Sequence, residues 1–147
     1  GTAVADVLAG DYNPSGRLPI AFYKNLEQLD NALSKTSKHQ GFENYDMQGR
    51  TYRYMTENPL YAFGHGLSYS KFTYGEAQLS KNIINSNEKI TITVPVTNIS
   101  DKDGEEVVQI YVKRNNDVLA PVKTLRAFER VLITSKETKN IPTQIKV

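Results

Sequence analysis

In the second half of the chain, apolar residues fall on alternate positions. Ile90, Ile92, Val94 and Val96 alternate with Thr91, Thr93, Pro95 and Thr97, which gives a strand one apolar face. Val108, Ile110 and Val112 alternate with Gln109 and Tyr111 in the same way. Residues 125–133 and 141–147 predict two further strands, and residues 72–79 a first one. Pro95 has no N–H for a ladder, so its strand is expected to lie at an edge or to carry a bulge there. Strands at this spacing predict a β-sandwich, and about five are legible against the roughly seven usual in that architecture. The sandwich is therefore expected to be incomplete, either truncated or completed by another chain. It should then show an open sheet edge through which the chain could associate with itself.

The first half follows different periods. Val4, Val7 and Leu8 fall at helical spacing among alanines, and Gly10 supplies a stop, since glycine takes the left-handed conformation of a C-terminal cap. Asn13-Pro14-Ser15-Gly16 is a turn signal, because Pro sets one backbone angle and Gly permits the unusual one. Leu18, Ile20 and Phe22 then alternate as in a strand. Helix, turn and strand over 1–23 read as the closing unit of an α/β layer, too short to be a domain alone. Residues 24–70 are polar and irregular, with a short helix expected near residues 26–33, and they read as a connector draped along a surface. Six of the nine tyrosines fall between Tyr45 and Tyr74 and would anchor it. Residues 71–147 carry the β domain.

Composition excludes several function classes. Eighteen basic against 16 acidic residues leave a net charge of +2, which is not a nucleic-acid footprint. No cysteine is present, so neither a disulfide frame nor a thiolate metal site can form. No apolar run is long enough to cross a bilayer. Gly1-Thr2-Ala3-Val4 reads as the interior of a helix and not as a start or a signal peptide, so the chain is expected to be a fragment.

The candidate chemistry lies in the connector. Tyr45, Tyr52 and Tyr54 each offer a flat apolar face with a polar tip that could stack on a sugar ring, although interface packing uses the same property. Arg50 and Arg53, with Arg17, could clamp a carboxylate or line a sugar pocket through their planar forks, or form ion pairs between domains. Glu43 and Asp46 flank this stretch as surface carboxylates. His39 and His65 stand too far apart in sequence for a metal site or a catalytic dyad. Asp101, Asp103, Glu105 and Glu106 around Gly104 lack the spacing of a calcium loop, and they read as a solvated hairpin turn. Asn98-Ile99-Ser100 is a glycosylation sequon, a pattern short enough to arise by chance. No metal and no cofactor is expected.

Four ordered landmarks resemble the C-terminal part of a glycoside hydrolase family 3 enzyme. Residues 5–19, Ala-Asp-Val-Leu-Ala-Gly-Asp-Tyr-Asn-Pro-Ser-Gly-Arg-Leu-Pro, resemble the last helix and strand of that family's α/β sandwich. Residues 59–69, Pro-Leu-Tyr-Ala-Phe-Gly-His-Gly-Leu-Ser-Tyr, resemble its lead-in to the β domain. Residues 104–112 and 125–131 match strands of that domain. Within the family, residues 44–54 look closer to β-xylosidase-type members.

The resemblance implies a mainly β fold: an incomplete fibronectin type III-like, immunoglobulin-like β-sandwich after a helix–turn–strand remnant of an α/β domain and a long connector. It further implies a parent that removes terminal β-linked sugars, xylosides or glucosides, from oligosaccharides, with its catalytic domains upstream and a secreted or periplasmic bacterial setting. The family's nucleophilic Asp sits on a barrel and its acid/base Glu earlier in the α/β domain. No position of this chain matches either, so no catalytic residue is carried over, and the chain alone is expected to be inactive and supportive. A free-standing fibronectin-like module that binds carbohydrate or protein is the alternative, since such sandwiches host many roles. Residues 1–23 argue against it.

Overall fold

Strand pairing and the two prolines within it organise the β region of the computed structural model, which describes residues 1–34, 47 and 49–146. Tyr45, His39, Glu43 and Asp46 lie outside the described residues. The elements are helices α1 (Thr2–Ala9), α2 (Leu26–Ser34) and α3 (Thr51–Tyr54), then strands β1 (Phe72–Tyr74), β2 (Gln78–Leu79), β3 (Lys89–Asn98), β4 (Gly104–Val112), β5 (Thr124–Ile133) and β6 (Thr138–Lys146). They fall into two compact units. One comprises Gly1–Gly16, Gly66–Ile110 and Arg126–Val147, the other Arg17–His65 and Tyr111–Leu125.

In the first unit β3 is central. It pairs antiparallel with β6 from Lys89↔Lys146 to Thr97↔Thr138 without a break. Its other side takes β1 and then β2. The expected single strand over 72–79 is thus two short ones, and Pro95 is the reason. Gly75 N–H donates to the Pro95 carbonyl at 2.8 Å, so the position of the missing Pro95 N–H also faces this side. Register shifts at that point from Tyr74↔Val96 to Gln78↔Thr93, which places two residues opposite Val94, a β-bulge. The bulge expected at Pro95 is present on the partner strand, and β3 is not an edge. The same alternation puts Thr93↔Pro142 in a non-hydrogen-bonded pair. Pro142 therefore turns its missing N–H to the side of β6 that pairs with no strand among the described residues, where a proline is tolerated.

The inward faces follow the predicted alternation. Ile90, Val94 and Val96 of β3 are buried with Ile141 and Ile145 of β6, and Val108 and Ile110 of β4 with Ile133 of β5. The cross-strand pairs Ile90↔Ile145 and Val94↔Ile141 stand on one face. Full burial of each such side chain contributes about 1.5–3 kcal/mol. β4 pairs with β5 in a separate two-stranded sheet. The residues between β3 and β4 therefore cross between sheets, and the hairpin expected there is not formed.

α1 spans the expected helix, and its end is a Schellman motif. Gly10, at φ +86°, donates to the Val7 carbonyl at 3.2 Å, and Asp11 N–H donates to the Asp6 carbonyl at 2.9 Å. In the second unit, residues 18–23 form one isolated bridge, Phe22↔Tyr61, in place of a strand. Leu18 and Phe22 both exchange backbone bonds with residues 60–65. Between those two points the partner chain bends: His65 N–H closes on the Ala62 carbonyl at 3.0 Å, and Gly64 sits at φ +81°. α2 appears where expected. Its start carries a reciprocal cap, Gln28 N–H donating to Asn25 Oδ1 at 2.9 Å and Lys24 N–H to Gln28 Oε1 at 2.8 Å.

Candidate functional site

The connector residues singled out from sequence share one unit with residues 111–125. Gly49, at φ +70°, turns the chain into α3, which carries Tyr52, Arg53 and Tyr54 on a single helical turn. Tyr52 stacks on Phe63 with centroids 4.0 Å apart, and Tyr111 meets both rings edge-on at 6.1 and 6.4 Å. Such geometries suit the ring quadrupoles. The Tyr52 hydroxyl accepts the Leu125 N–H at 3.2 Å, and the Arg53 carbonyl accepts the Val122 N–H at 2.6 Å. Lys123 Nζ lies 4.7 Å from the Tyr111 ring centroid. Burial pushes the Tyr111 phenol up, and the neighbouring Tyr52 phenol adds to the rise.

One face of Tyr52 is therefore covered by Phe63. The Arg53 guanidinium lies 5.6 Å over the Tyr54 ring, a cation–π contact, and its Nε is sealed from solvent without an acceptor among the described residues. Arg50 caps α3 in an extended conformation. Of the five candidate sugar-contact residues, Arg50, Tyr52, Arg53 and Tyr54 lie together on and before α3, and Tyr45 lies outside the described residues.

A cavity of about 500 Å³ opens in the same unit, lined by Lys24, Asn25, Glu27, Gln28, Glu57 and others. Gln28 is buried at its wall and donates to the Asn58 carbonyl at 3.0 Å. Glu27 and Glu57 are both exposed.

In the first unit the Asn-Pro-Ser-Gly turn is a long-range clamp, a role that its local turn signal did not disclose. Asn13 uses both ends of its amide. Oδ1 accepts from Ser68 Oγ and Tyr69 N–H, each at 2.9 Å, and Nδ2 donates to Ser70 Oγ at 2.9 Å and the Asp103 carbonyl at 2.8 Å. Ser15 is buried. Its hydroxyl donates to Glu105 Oε2 at 3.0 Å and accepts from Arg130 Nε and Nη2 at 3.1 and 2.9 Å, while Arg130 pairs with the same carboxylate at 3.1 Å. Gly104 leaves room for this: a Cβ there would stand 2.6 Å from Ser70 Oγ.

The carboxylates after β3 are likewise engaged, which corrects the reading of a solvated turn at Glu105 and Glu106. Asp101 and Asp103 are exposed, and Asp101 pairs with Lys136 at 2.9 Å. Asp103 Oδ1 accepts the Ser135 N–H at 2.7 Å, and Glu106 is buried with Tyr74 Oη donating to it at 2.7 Å. Asn98, in the sequon, is 0% exposed. Its Nδ2 donates to the Lys102 and Ile133 carbonyls at 2.8 and 3.0 Å, and its Oδ1 accepts the Ser100 N–H at 3.0 Å. Among the described residues no group of three or more His, Asp or Glu side chains is placed to hold a metal ion, and no helix is long and apolar enough to cross a membrane.

Residues 1–69 match the glycosyl hydrolase family 3 C-terminal domain, and residues 106–147 match a fibronectin type III-like domain. The chain belongs to glycosyl hydrolase family 3, in its C-terminal part. It is 44% identical to a xylan 1,4-beta-xylosidase of Xylanibacter ruminicola over 94% of its own length and 14% of that protein's. It is 39% identical to a periplasmic beta-glucosidase of Salmonella typhimurium, over 96% of this chain and 19% of that one. Beta-glucosidase 3B from Thermotoga neapolitana, solved with glucose, superposes with a TM-score of 0.79 at 30% identity, covering 99% of this chain and 21% of that one. The chain thus spans between a seventh and a fifth of the relatives it matches.

Proposed function

We propose that this chain is an accessory, non-catalytic portion of a glycosidase that removes terminal β-linked sugars, β-xylosides or β-glucosides, from oligosaccharides, and that it braces the catalytic domains of the same protein. The observation that carries this is the use made of the first landmark. Asn13 and Ser15 spend their polar groups on residues 68–70, 103, 105 and 130, so the segment acts as a structural joint. The division into 1–23 as the end of an α/β layer, 24–70 as connector and 71–147 as the sandwich belongs to the same proposal. α1 supports it: the helix buries none of its side chains, and eight residues are too few to be stable without tertiary packing.

In the parent, Tyr45, Arg50, Tyr52, Arg53 and Tyr54 would shape one side of the sugar pocket. Association of two copies through the free edge of β6 is disfavoured by Pro142 and by the charged Lys139 and Lys146 along that strand.

The test is hydrolysis of aryl β-xyloside and aryl β-glucoside by this chain beside the full-length parent. An active parent and an inactive chain are expected, the preferred glycoside naming the sugar. Turnover by the chain alone would overturn the accessory role and redirect attention to its connector carboxylates.

A further inference from the structure

The backbone that leads into α3 is held in a conformation one of its residues resists. Gly49 stands at φ +70°, which glycine adopts freely. Arg50 is extended, at φ −104°, and Thr51 is left-handed again, at φ +55°. A β-branched residue at positive φ is an outlier, because its Cβ crowds the backbone there. Such strain persists only where the surroundings over-determine it, and it gathers at functional sites.

The turn that follows is fastened in several ways. The Thr51 carbonyl accepts the Met55 N–H at 2.9 Å, and the Arg53 carbonyl accepts the Val122 N–H at 2.6 Å. Tyr52 is held through its stack on Phe63 and through the Leu125 N–H on its hydroxyl. A four-residue helix has no stability of its own, so these anchors keep it. Thr51 Oγ1 adds what a glycine would lack. It accepts the Arg53 N–H at 3.4 Å, one of the donors that a helix start leaves unsatisfied. Arg53 in turn lies 5.6 Å over the Tyr54 ring, and its Nε is sealed from solvent without an acceptor among the described residues. Strain at Thr51 thus meets anchors at the next two residues, and the side chains so fixed are candidate sugar contacts.

We infer that Thr51 is a positioning residue: its strained backbone and its hydroxyl set the one-turn helix so that Arg53 and Tyr54 stand preorganised for the sugar. This rests on the reading above that α3 shapes one side of the sugar pocket.

The experiment is steady-state hydrolysis of the preferred aryl β-glycoside by the full-length parent, unsubstituted and as Thr51→Gly, Thr51→Ser and Arg53→Ala. Glycine takes the observed φ without strain, so the Thr51→Gly parent folds. Positioning predicts a KM raised about fivefold or more in Thr51→Gly, with kcat within about twofold, the pattern of lost substrate binding. Thr51→Ser restores the hydroxyl and should recover most of that rise. An unchanged KM in Thr51→Gly would overturn the inference. So would a Thr51→Ser variant no better than Thr51→Gly, or a loss of kcat that tracks a lower thermal midpoint. Arg53→Ala reads the underlying proposal separately. KM unmoved there means that α3 shapes no sugar pocket, whereas KM raised there and unmoved in Thr51→Gly removes the positioning role alone.

Discussion

Replacing Asn98 with alanine removes a side chain that binds three backbone groups in the fully buried end of β3. The Ile133 carbonyl is itself buried, and leaving it without a donor costs about 1–3 kcal/mol. The Lys102 carbonyl and the Ser100 N–H are only part-buried, so water can reach them, and each lost bond costs about 0.5–1.5 kcal/mol. Together Asn98→Ala should destabilise the chain by about 3 kcal/mol, a fall of roughly 9 °C in midpoint for a chain of this size. Asn98→Asp separates the hydrogen-bonding account from one based on shape. Aspartate fills the same volume and keeps the acceptor for Ser100, but it sets a second oxygen against two carbonyls. It should cost at least as much as alanine at neutral pH and recover in part in acid, when one oxygen carries a proton. Thermal and urea unfolding followed by circular dichroism read both variants. A loss under about 1 kcal/mol for alanine, or an aspartate variant as stable as wild type, would refute the reasoning. The same burial predicts that the Asn98-Ile99-Ser100 sequon stays unmodified in the folded chain.

Two further outcomes follow from the same unit. Gly104→Ala drives a methyl to 2.6 Å from Ser70 Oγ and 2.7 Å from Ser70 Cβ. It should cost about 2 kcal/mol by overpacking, and the urea midpoints of Ser70→Gly and of the double variant should show the two costs to be less than additive. Glu137 is held below the ordinary carboxylate value of 4.5 by the Thr134 hydroxyl first, then by the Thr134 N–H and Lys139. Its stabilising effect is therefore present above about pH 4.5 and lost as pH falls through the lowered folded-state value. Glu137→Gln should lower the midpoint at pH 7, and its difference from wild type should close in acid; a gap independent of pH would contradict this.

Much of the molecule is set by local pattern. Alternation of Ile and Val with Thr over 90–97 is enough to give β3 its inward face, because a strand's side chains must alternate. Helical spacing before Gly10 gives α1 and its Schellman end, since only the neighbouring carbonyls are needed to close it. The start of α2 was also written in Asn25-Leu26-Glu27-Gln28, a capping signature that the hydrophobic pattern alone passed over. The residues that resemble the family are likewise read in sequence, because their glycines and prolines fix backbone shape wherever they occur.

What no local pattern contains is which distant group completes a polar side chain. Asn13 looked like a turn residue and is one, yet its amide binds groups 55 to 90 positions away. Glu105 and Glu106 looked solvated, and instead they close against Ser15, Arg130 and Tyr74. Residues 72–79 promised one strand until Pro95, on another strand, withheld its hydrogen bond. Tyr52 offered a free ring until Phe63 and Tyr111 packed against it. Periodicity is a property of the neighbouring residues and the sequence settles it; hydrogen-bond and ring partners are chosen only when strands far apart in the chain come into register, and the tertiary structure alone decides them.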